Sequence, residues 1–240
     1  MKKKIAILTH PLGHNYGGIL QAYALQFYLK SLGYDVKTVN RRSSKWQRIS
    51  VKSYIINVAR LLLGRINTIP TRRMQMYALE NLLMFRDENI DLSPEINTEK
   101  EIREYFKSNI FDAVIVGSDQ VWRPKYSPSI TNFYLDFLDD IGSRAKRIAY
   151  AASFGVDDWE YSKELTEKCK ILLQKFDAVS VREKSALYLC KNKFGVTAEL
   201  VADPTLLLDA SHYANLIRQS SYEFPNKYAL SYVLDPSEDK

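Results

Sequence analysis

The sequence predicts an α/β protein built on a doubly wound parallel sheet. Three observations carry that expectation. Short apolar runs alternate with amphipathic stretches along the chain, the pattern of a parallel sheet with helices on both faces. Five of these runs give way at once to small and polar residues, as strands do where they end in ligand-facing loops. The chain also opens with a strand, a Gly-rich loop, a helix, a Gly and a second strand, which is a βαβ unit with a right-handed crossover.

Ile5 to Leu8 reads as the buried first strand, and His10 to Gly18 as a loop punctuated by Pro and Gly. The helix expected from Ile19 to Leu32 carries Leu20, Tyr23, Ala24, Phe27, Tyr28 and Leu32 at spacings of three and four, so this stripe is expected to face the core. Gly33 stands where a left-handed residue would end that helix, before a strand from Tyr34 to Val39. Two helical patterns follow, 53–63 and 71–88, then a capping box at Thr98-Glu99-Lys100-Glu101 before a helix to Lys107. Strands are expected at 111–116, 148–152, 178–181 and 199–202, with helices at 160–175, 183–193 and 210–219. A last strand, Tyr228 to Leu234, looks like the start of a further unit. The expected division is therefore a first domain over 1–222, with a helical basic insertion at about 41–108, and the truncated start of a second over 223–240.

Composition is that of a globular protein: 240 residues, 46% hydrophobic and 26% charged. No apolar run approaches the roughly 18 residues of a spanning helix, and Ile5 to Leu8 is too short for a signal peptide, so a cytoplasmic protein is expected. Cys169 and Cys190 are the only cysteines and form no CxxC clip, so they read as partly buried thiols. The net charge of +6 is unevenly placed. From Val36 to Leu79 there is no Asp or Glu, but there are ten bases: Lys37, Arg41, Arg42, Lys45, Arg48, Lys52, Arg60, Arg65, Arg72 and Arg73. Such a segment needs an anionic partner or an internal explanation.

Five loops could carry chemistry: His14 to Gly18, Gly117 to Trp122, Ser153 to Gly155, Arg182 to Ser185, and Asp203 to Thr205. If their strands are parallel neighbours, all five share one rim. Gly17 and Gly18 open a helix whose N-terminus favours phosphate or carboxylate, or they simply make a tight turn. Arg182 stands at a helix start, where the dipole disfavours a cation. It calls for an anionic ligand or for an ion pair such as one with Glu183. Asp119 suits proton acceptance or a sugar hydroxyl, and equally a turn cap; Asp203-Pro204 reads equally as a turn starter. His10 and His14 flank Pro11 and Gly13, so no regular helix aligns them and no metal pair is expected. His212 falls in the last expected helix and reads as a surface residue. GxSxG, P-loop and GxGxxG motifs are absent from the sequence.

Taken together, Asn15-Tyr16-Gly17-Gly18-Ile19-Leu20-Gln21, Gly117-Ser118-Asp119-Gln120-Val121-Trp122, Ser153-Phe154-Gly155, Arg182-Glu183-Lys184-Ser185 and Asp203-Pro204-Thr205 resemble, in order and spacing, the polysaccharide pyruvyl transferase family. The resemblance implies a Rossmann-like half of a GT-B-like architecture. It implies transfer of the enolpyruvyl group of phosphoenolpyruvate, a donor substrate rather than a cofactor, onto a sugar or lipid-linked oligosaccharide to form a pyruvate ketal. It makes Asp119 and Arg182 the expected catalytic residues, with Arg182 holding the donor. Expected substrate contacts are Asn15, Tyr16, Gly17, Gly18, Gln21, Ser118, Gln120, Trp122, Ser153, Phe154, Gly155, Glu183, Ser185, Asp203 and Thr205. No metal is expected. The family's His general acid matches no position here and is expected in a second half.

Competing readings are a sugar-nucleotide glycosyltransferase half and a non-catalytic sugar- or nucleic-acid-binding domain. Against nucleic acid, the bases follow no recognition-module pattern and the rest of the chain is net acidic. The apolar stretch Tyr54 to Leu63 with basic flanks reads either as a helix packed inside the domain with solvated bases around it or as a peripheral contact with an anionic membrane, at its inner face. Without a second half, this chain alone is expected to show negligible pyruvyl transfer; an assay against a longer version, with comparable turnover, would contradict that.

Overall fold

A computed structural model describes residues 2–42, 55–56, 58–59, 61, 63–64, 72–127, 129–218, 225, 227 and 229. The strands are β1 (Lys4–Leu8), β2 (Asp35–Thr38), β3 (Ala113–Val116), β4 (Lys146–Ala152), β5 (Ala178–Val181) and β6 (Glu199–Leu200). They form one sheet in the order β2-β1-β3-β4-β5-β6, and every pairing is parallel. The helices are α1 (Tyr16–Ser31), α2 (Arg72–Asn89), α3 (Glu99–Ser108), α4 (Asp136–Asp140), α5 (Lys163–Leu173), α6 (Lys184–Leu189) and α7 (Ala210–Arg218). The chain divides into two compact units, Met1–Leu207 and Leu208–Lys240; α7 belongs to the second. The strand expected at 228–234, and most of the helix expected at 53–63, lie outside the described residues.

Alternation along the strands sorts side chains onto two faces. Ile5, Ile7 and Ile115 pack with Leu25 of α1 and with Val36. Ala6, Leu8, Val114 and Val116 point the other way, toward Ile102 and Phe106 of α3, Phe137 and Leu138 of α4, and Leu172 and Leu173 of α5. Helices thus cover both faces, and the doubly wound expectation holds. With β1 central and its neighbours β2 and β3 reached in opposite directions, the topology reverses between β1 and β3. Ligands of open α/β sheets settle outside the strand ends at such a point.

Local chemistry accounts for the boundaries. Asn15 caps α1 by accepting the Gly18 N–H at 3.1 Å. Gly33, at φ 90, ends it in the left-handed region, with the Tyr34 N–H reaching the Leu29 carbonyl as in a Schellman motif. Thr98 caps α3 through the Glu101 N–H, while Glu101 reaches back to the Asn97 N–H at 2.7 Å.

The buried face of α1 keeps Tyr23 and Ala24 of the expected stripe, with Tyr28 half-buried, and otherwise differs from it. Leu20, Phe27 and Leu32 are exposed, whereas Ile19, Gln21, Ala22, Leu25 and Gln26 are buried. The reason is polar. Gln21 and Gln26 are drawn inward by hydrogen bonds, Gln26 to Thr38 Oγ1 at 2.8 Å and to both backbone groups of Asp91. The segment between Trp122 and β4 also supplies core that sequence periodicity missed. A short 3-10 helix, Ile130–Tyr134, followed by α4, buries Phe133, Tyr134 and Phe137. Both cysteines are wholly buried, and burial pushes each thiol up to about 12.

Part of the basic segment is answered internally. Lys37 meets Asp91 at 2.5 Å, Arg42 meets Glu95 at 2.9 Å, and buried Arg41 donates to Asn132 Oδ1 at 3.2 Å. These contacts hold the 91–96 strip beside β2, where Thr38 bridges Leu92 and Arg41 bridges Ile96.

Two glycines make contrasting predictions. At Gly117, φ is 120 and an added Cβ would lie 2.2 Å from the Tyr150 carbonyl oxygen, which is backbone and cannot yield. Gly117→Ala is expected to cost at least about 3 kcal/mol. At Gly155, φ is 71 and the nearest atoms a Cβ would meet belong to the Gln120 side chain, which can swing aside where backbone cannot, so Gly155→Ala should cost about 1–2 kcal/mol. Denaturant unfolding of the two variants reads the difference.

Candidate active site

All five loops follow the carboxyl ends of parallel strands, so the sheet gathers them at one edge. The link between the first two is Gln21. Its Nε2 donates to Thr9 Oγ1 at 2.9 Å and to the Gly18 carbonyl at 2.8 Å, while its Oε1 accepts the Ser118 N–H at 3.0 Å. Thr9 Oγ1 in turn donates to the Ser118 carbonyl at 3.1 Å. One buried amide therefore ties α1 to the loops after β1 and β3.

The third loop is sewn to the second by backbone. Ser153 N–H donates to the Asp119 carbonyl and Trp122 N–H to the Ser153 carbonyl, both at 3.1 Å. Beneath them lies an aromatic floor. Trp122 stacks on Tyr134 at 5.4 Å and 13°, gives its indole N–H to the Phe133 carbonyl, and packs against Phe154. Tyr161 donates to the Trp122 carbonyl from the same floor. The Phe154 N–H donates to Glu183 Oε1 at 3.0 Å, tying in the fourth loop.

Five of the expected substrate contacts have their side chains buried in this structure. Gln21, Ser118, Trp122, Ser153 and Phe154 are between 0% and 2% exposed and brace the rim from below. Their polar atoms are used up in joining loops, and the two rings fill the core. Asn15, Tyr16, Gly17 and Gly155 are exposed, Gly18 is buried, and Asp119, Gln120, Arg182, Glu183, Ser185, Asp203 and Thr205 are half-buried.

The charged groups converge. Arg182 NH1 donates to Asp203 Oδ2 at 3.0 Å; its NH2 lies 3.8 Å from Asp119 Oδ1, and its Nε 3.8 Å from Glu183 Oε2. Asp203, not Glu183, is thus the partner that anchors Arg182. At 3.8 Å the other two contacts are electrostatic rather than hydrogen bonds, which leaves the Nε and NH2 edge of the guanidinium as a fork. Asp203 Oδ1 accepts both the backbone N–H and the hydroxyl of Thr205, at 3.0 and 2.9 Å. Ser118 Oγ sits 3.0 Å from Asp203 Oδ2 and 3.0 Å from the Ala151 carbonyl, and can donate to one of them at a time. Asp119, at φ 72, folds its carboxylate back to accept the Gln120 N–H at 2.8 Å. A Cβ on Gly18 would lie 3.3 Å from Asp119 Oδ2, so this carboxylate already sits at the positive end of α1.

His10 is the residue that sequence reasoning missed. Its Nδ1 lies 3.8 Å from Asp119 Oδ2, its Nε2 is 3.5 Å from Ser127 Oγ, and its ring meets Phe133 edge-on at 5.6 Å. Burial, with Arg182 nearby, lowers its pKa from 6.5 despite the opposing pull of Asp119, so the ring is neutral at physiological pH. The available signal was its place just beyond β1, one strand from Asp119. Weighed as half of a metal pair with His14, it looked idle. Among the described residues no group of three His, Cys, Asp or Glu could hold a metal ion.

For Asp203, burial raises the pKa, but the hydrogen bonds from Thr205, Arg182 and Ser118 outweigh it and hold it below 3.8. A depressed folded value means stability that is complete above 3.8 and lost as pH falls through the folded value. Asp203→Asn is expected to cost on the order of 2 kcal/mol at neutral pH. That difference from the parent should shrink as pH falls below 3.8 in denaturant unfolding; a difference independent of pH would contradict the assignment.

No curated protein matches the sequence. Among solved structures the chain is similar to UGT73P12 of Glycyrrhiza uralensis, complexed with glycyrrhetinic acid 3-O-monoglucuronide, with 9% identity and a TM-score of 0.39. That alignment covers 88% of this chain and 51% of the other, so the chain spans about half the length of that structure. The description "polysaccharide pyruvyl transferase" fits residues 15–240, which takes in all five rim loops together with Gln21 and Arg182. The chain belongs to the polysaccharide pyruvyl transferase family.

Proposed function

We propose that this chain supplies one side of a pyruvyl transfer site, half of a GT-B-like enzyme that moves the enolpyruvyl group of phosphoenolpyruvate onto a sugar of a surface polysaccharide or its lipid-linked precursor. The observation that carries the reading is the chain of groups His10, Asp119, Arg182 and Asp203 at the β1/β3 reversal. Asp203 fixes Arg182 through NH1, so the Nε and NH2 edge is preset for a planar carboxylate such as that of the donor. Three carboxylates surround one guanidinium, which favours hydroxyl donors of a sugar around it over a second anion. The α1 N-terminus, matched by Asp119, is a poor seat for the donor phosphate.

In the proposed reaction a proton is added at the methylene carbon of the donor, from an acid outside the groups named here. An acceptor oxygen bonds to the neighbouring carbon and its hydroxyl proton passes to neutral His10, with Asp119 balancing the imidazolium that forms. Phosphate then leaves with the C–O electron pair, and a second hydroxyl closes the ketal, releasing its own proton.

Phosphoenolpyruvate is expected to raise the melting temperature more than sulfate of equal concentration, and Arg182→Lys, which cannot fork, to abolish the excess. His10→Gln should keep that shift and, placed in a longer version that turns over, lower its turnover by about 10²-fold or more. Equal shifts with sulfate would overturn the donor assignment. Stabilisation by a nucleotide sugar instead would favour a glycosyltransferase.

A further inference from the structure

We propose that the apolar face formed around Ile55 to Leu63 is a docking surface for an anionic lipid bilayer, on which the protein lies without crossing it. Residues 55–56, 58–59 and 61 are helical, the Leu63 N–H donates to the Ala59 carbonyl at 3.0 Å, and Gly64 at φ 67 closes the turn. At about 3.6 residues per turn, Ile55, Ile56, Ala59 and Leu63 fall within roughly a third of the helix circumference. All four are exposed, Ile55 at 61% and Leu63 at 68%; Leu61, on the opposite side of the helix, is exposed less, at 37%. Scattered exposed apolar residues are ordinary, but several large ones on one face mark an interaction surface. A second exposed stripe, Met74, Tyr77 and Met84, lies on one side of α2, along an open groove of about 710 Å³ whose lining also includes Arg73, Glu80 and Asp87, so this stripe is flanked by charge of both signs and the positive balance lies on the first face.

Charge selects the occupant. The sequence has ten bases and no acid from Val36 to Leu79; Lys52 and Arg65 flank the apolar stretch along the chain, and Arg60 falls within it. Lys37, Arg41 and Arg42 are held internally, but Arg73 is exposed beside the second stripe. A second copy of the chain would set this positive segment against itself. A nucleic acid would answer the bases and leave Ile55, Ile56 and Leu63 in water. Anionic headgroups above acyl chains answer both features. Among the described residues no helix is long and apolar enough to cross a membrane. This assignment stands apart from the donor reading, since lipid binding is read without turnover.

The test is co-sedimentation of the full chain with vesicles of phosphatidylcholine containing roughly a third phosphatidylglycerol. Binding at low ionic strength is expected, about tenfold weaker at high salt or on phosphatidylcholine alone. Ile55→Asp with Leu63→Asp should reduce it by a similar factor while circular dichroism and melting temperature stay at parental values. Leu63→Ser serves if the double variant does not fold, with a smaller loss expected. No vesicle binding at low salt would overturn the proposal. So would binding indifferent to these substitutions, or self-association in sedimentation velocity that the substitutions abolish. Retention by random duplex DNA without vesicle binding would overturn it as well.

Discussion

The rim depends on the buried amide of Gln21. Parallel strands bring loops to a common edge, but they do not set the relative height or tilt of those loops. Gln21 does so by bonding at once to Thr9, to the first turn of its own helix and to the Ser118 N–H. An apolar residue of the same size would fill the space and leave the Ser118 N–H buried without a partner, a loss of about 1–3 kcal/mol. Because Asp119 follows Ser118 directly, the same amide fixes where that carboxylate stands relative to His10.

Above this clamp the electrostatics are tightly balanced. Arg182 is held by one carboxylate and flanked by two more, so it is restrained without being fully saturated. That arrangement keeps a guanidinium at a helix start, where the backbone alone would repel it. Burial keeps His10 neutral, although Asp119 stands ready to stabilise its charged form. A neutral base beside a fixed anion is suited to accepting a proton briefly and returning it.

Much of this was legible in the primary structure where local chemistry decides. The alternation of strands and helices, the Gly33 terminus, the Thr98 cap and the gathering of five loops all follow from short-range pattern. Legibility failed where a polar residue was buried or a ring was turned inward. Leu20 and Phe27 fit a helical stripe by spacing, yet Gln21 and Gln26 occupy the interior because their partners, Thr9, Ser118, Thr38 and Asp91, are far away in sequence. Trp122 and Phe154 lie inside loop motifs at the carboxyl edge of the sheet, but their side chains complete the aromatic floor with Tyr134 and Tyr161.

By itself the sequence determined the fold class, the family and the edge of the sheet at which the five loops gather, since periodicity and ordered motifs encode them locally. Only the tertiary structure decided that Asp203 rather than Glu183 anchors Arg182, that His10 joins Asp119, and that five of the fifteen expected contact residues bury their side chains beneath the rim. Those outcomes depend on distances between segments up to about a hundred residues apart, as Gln21 and Ser118 are. No local pattern carries such distances; they arise when parallel strands and a buried amide bring the segments together.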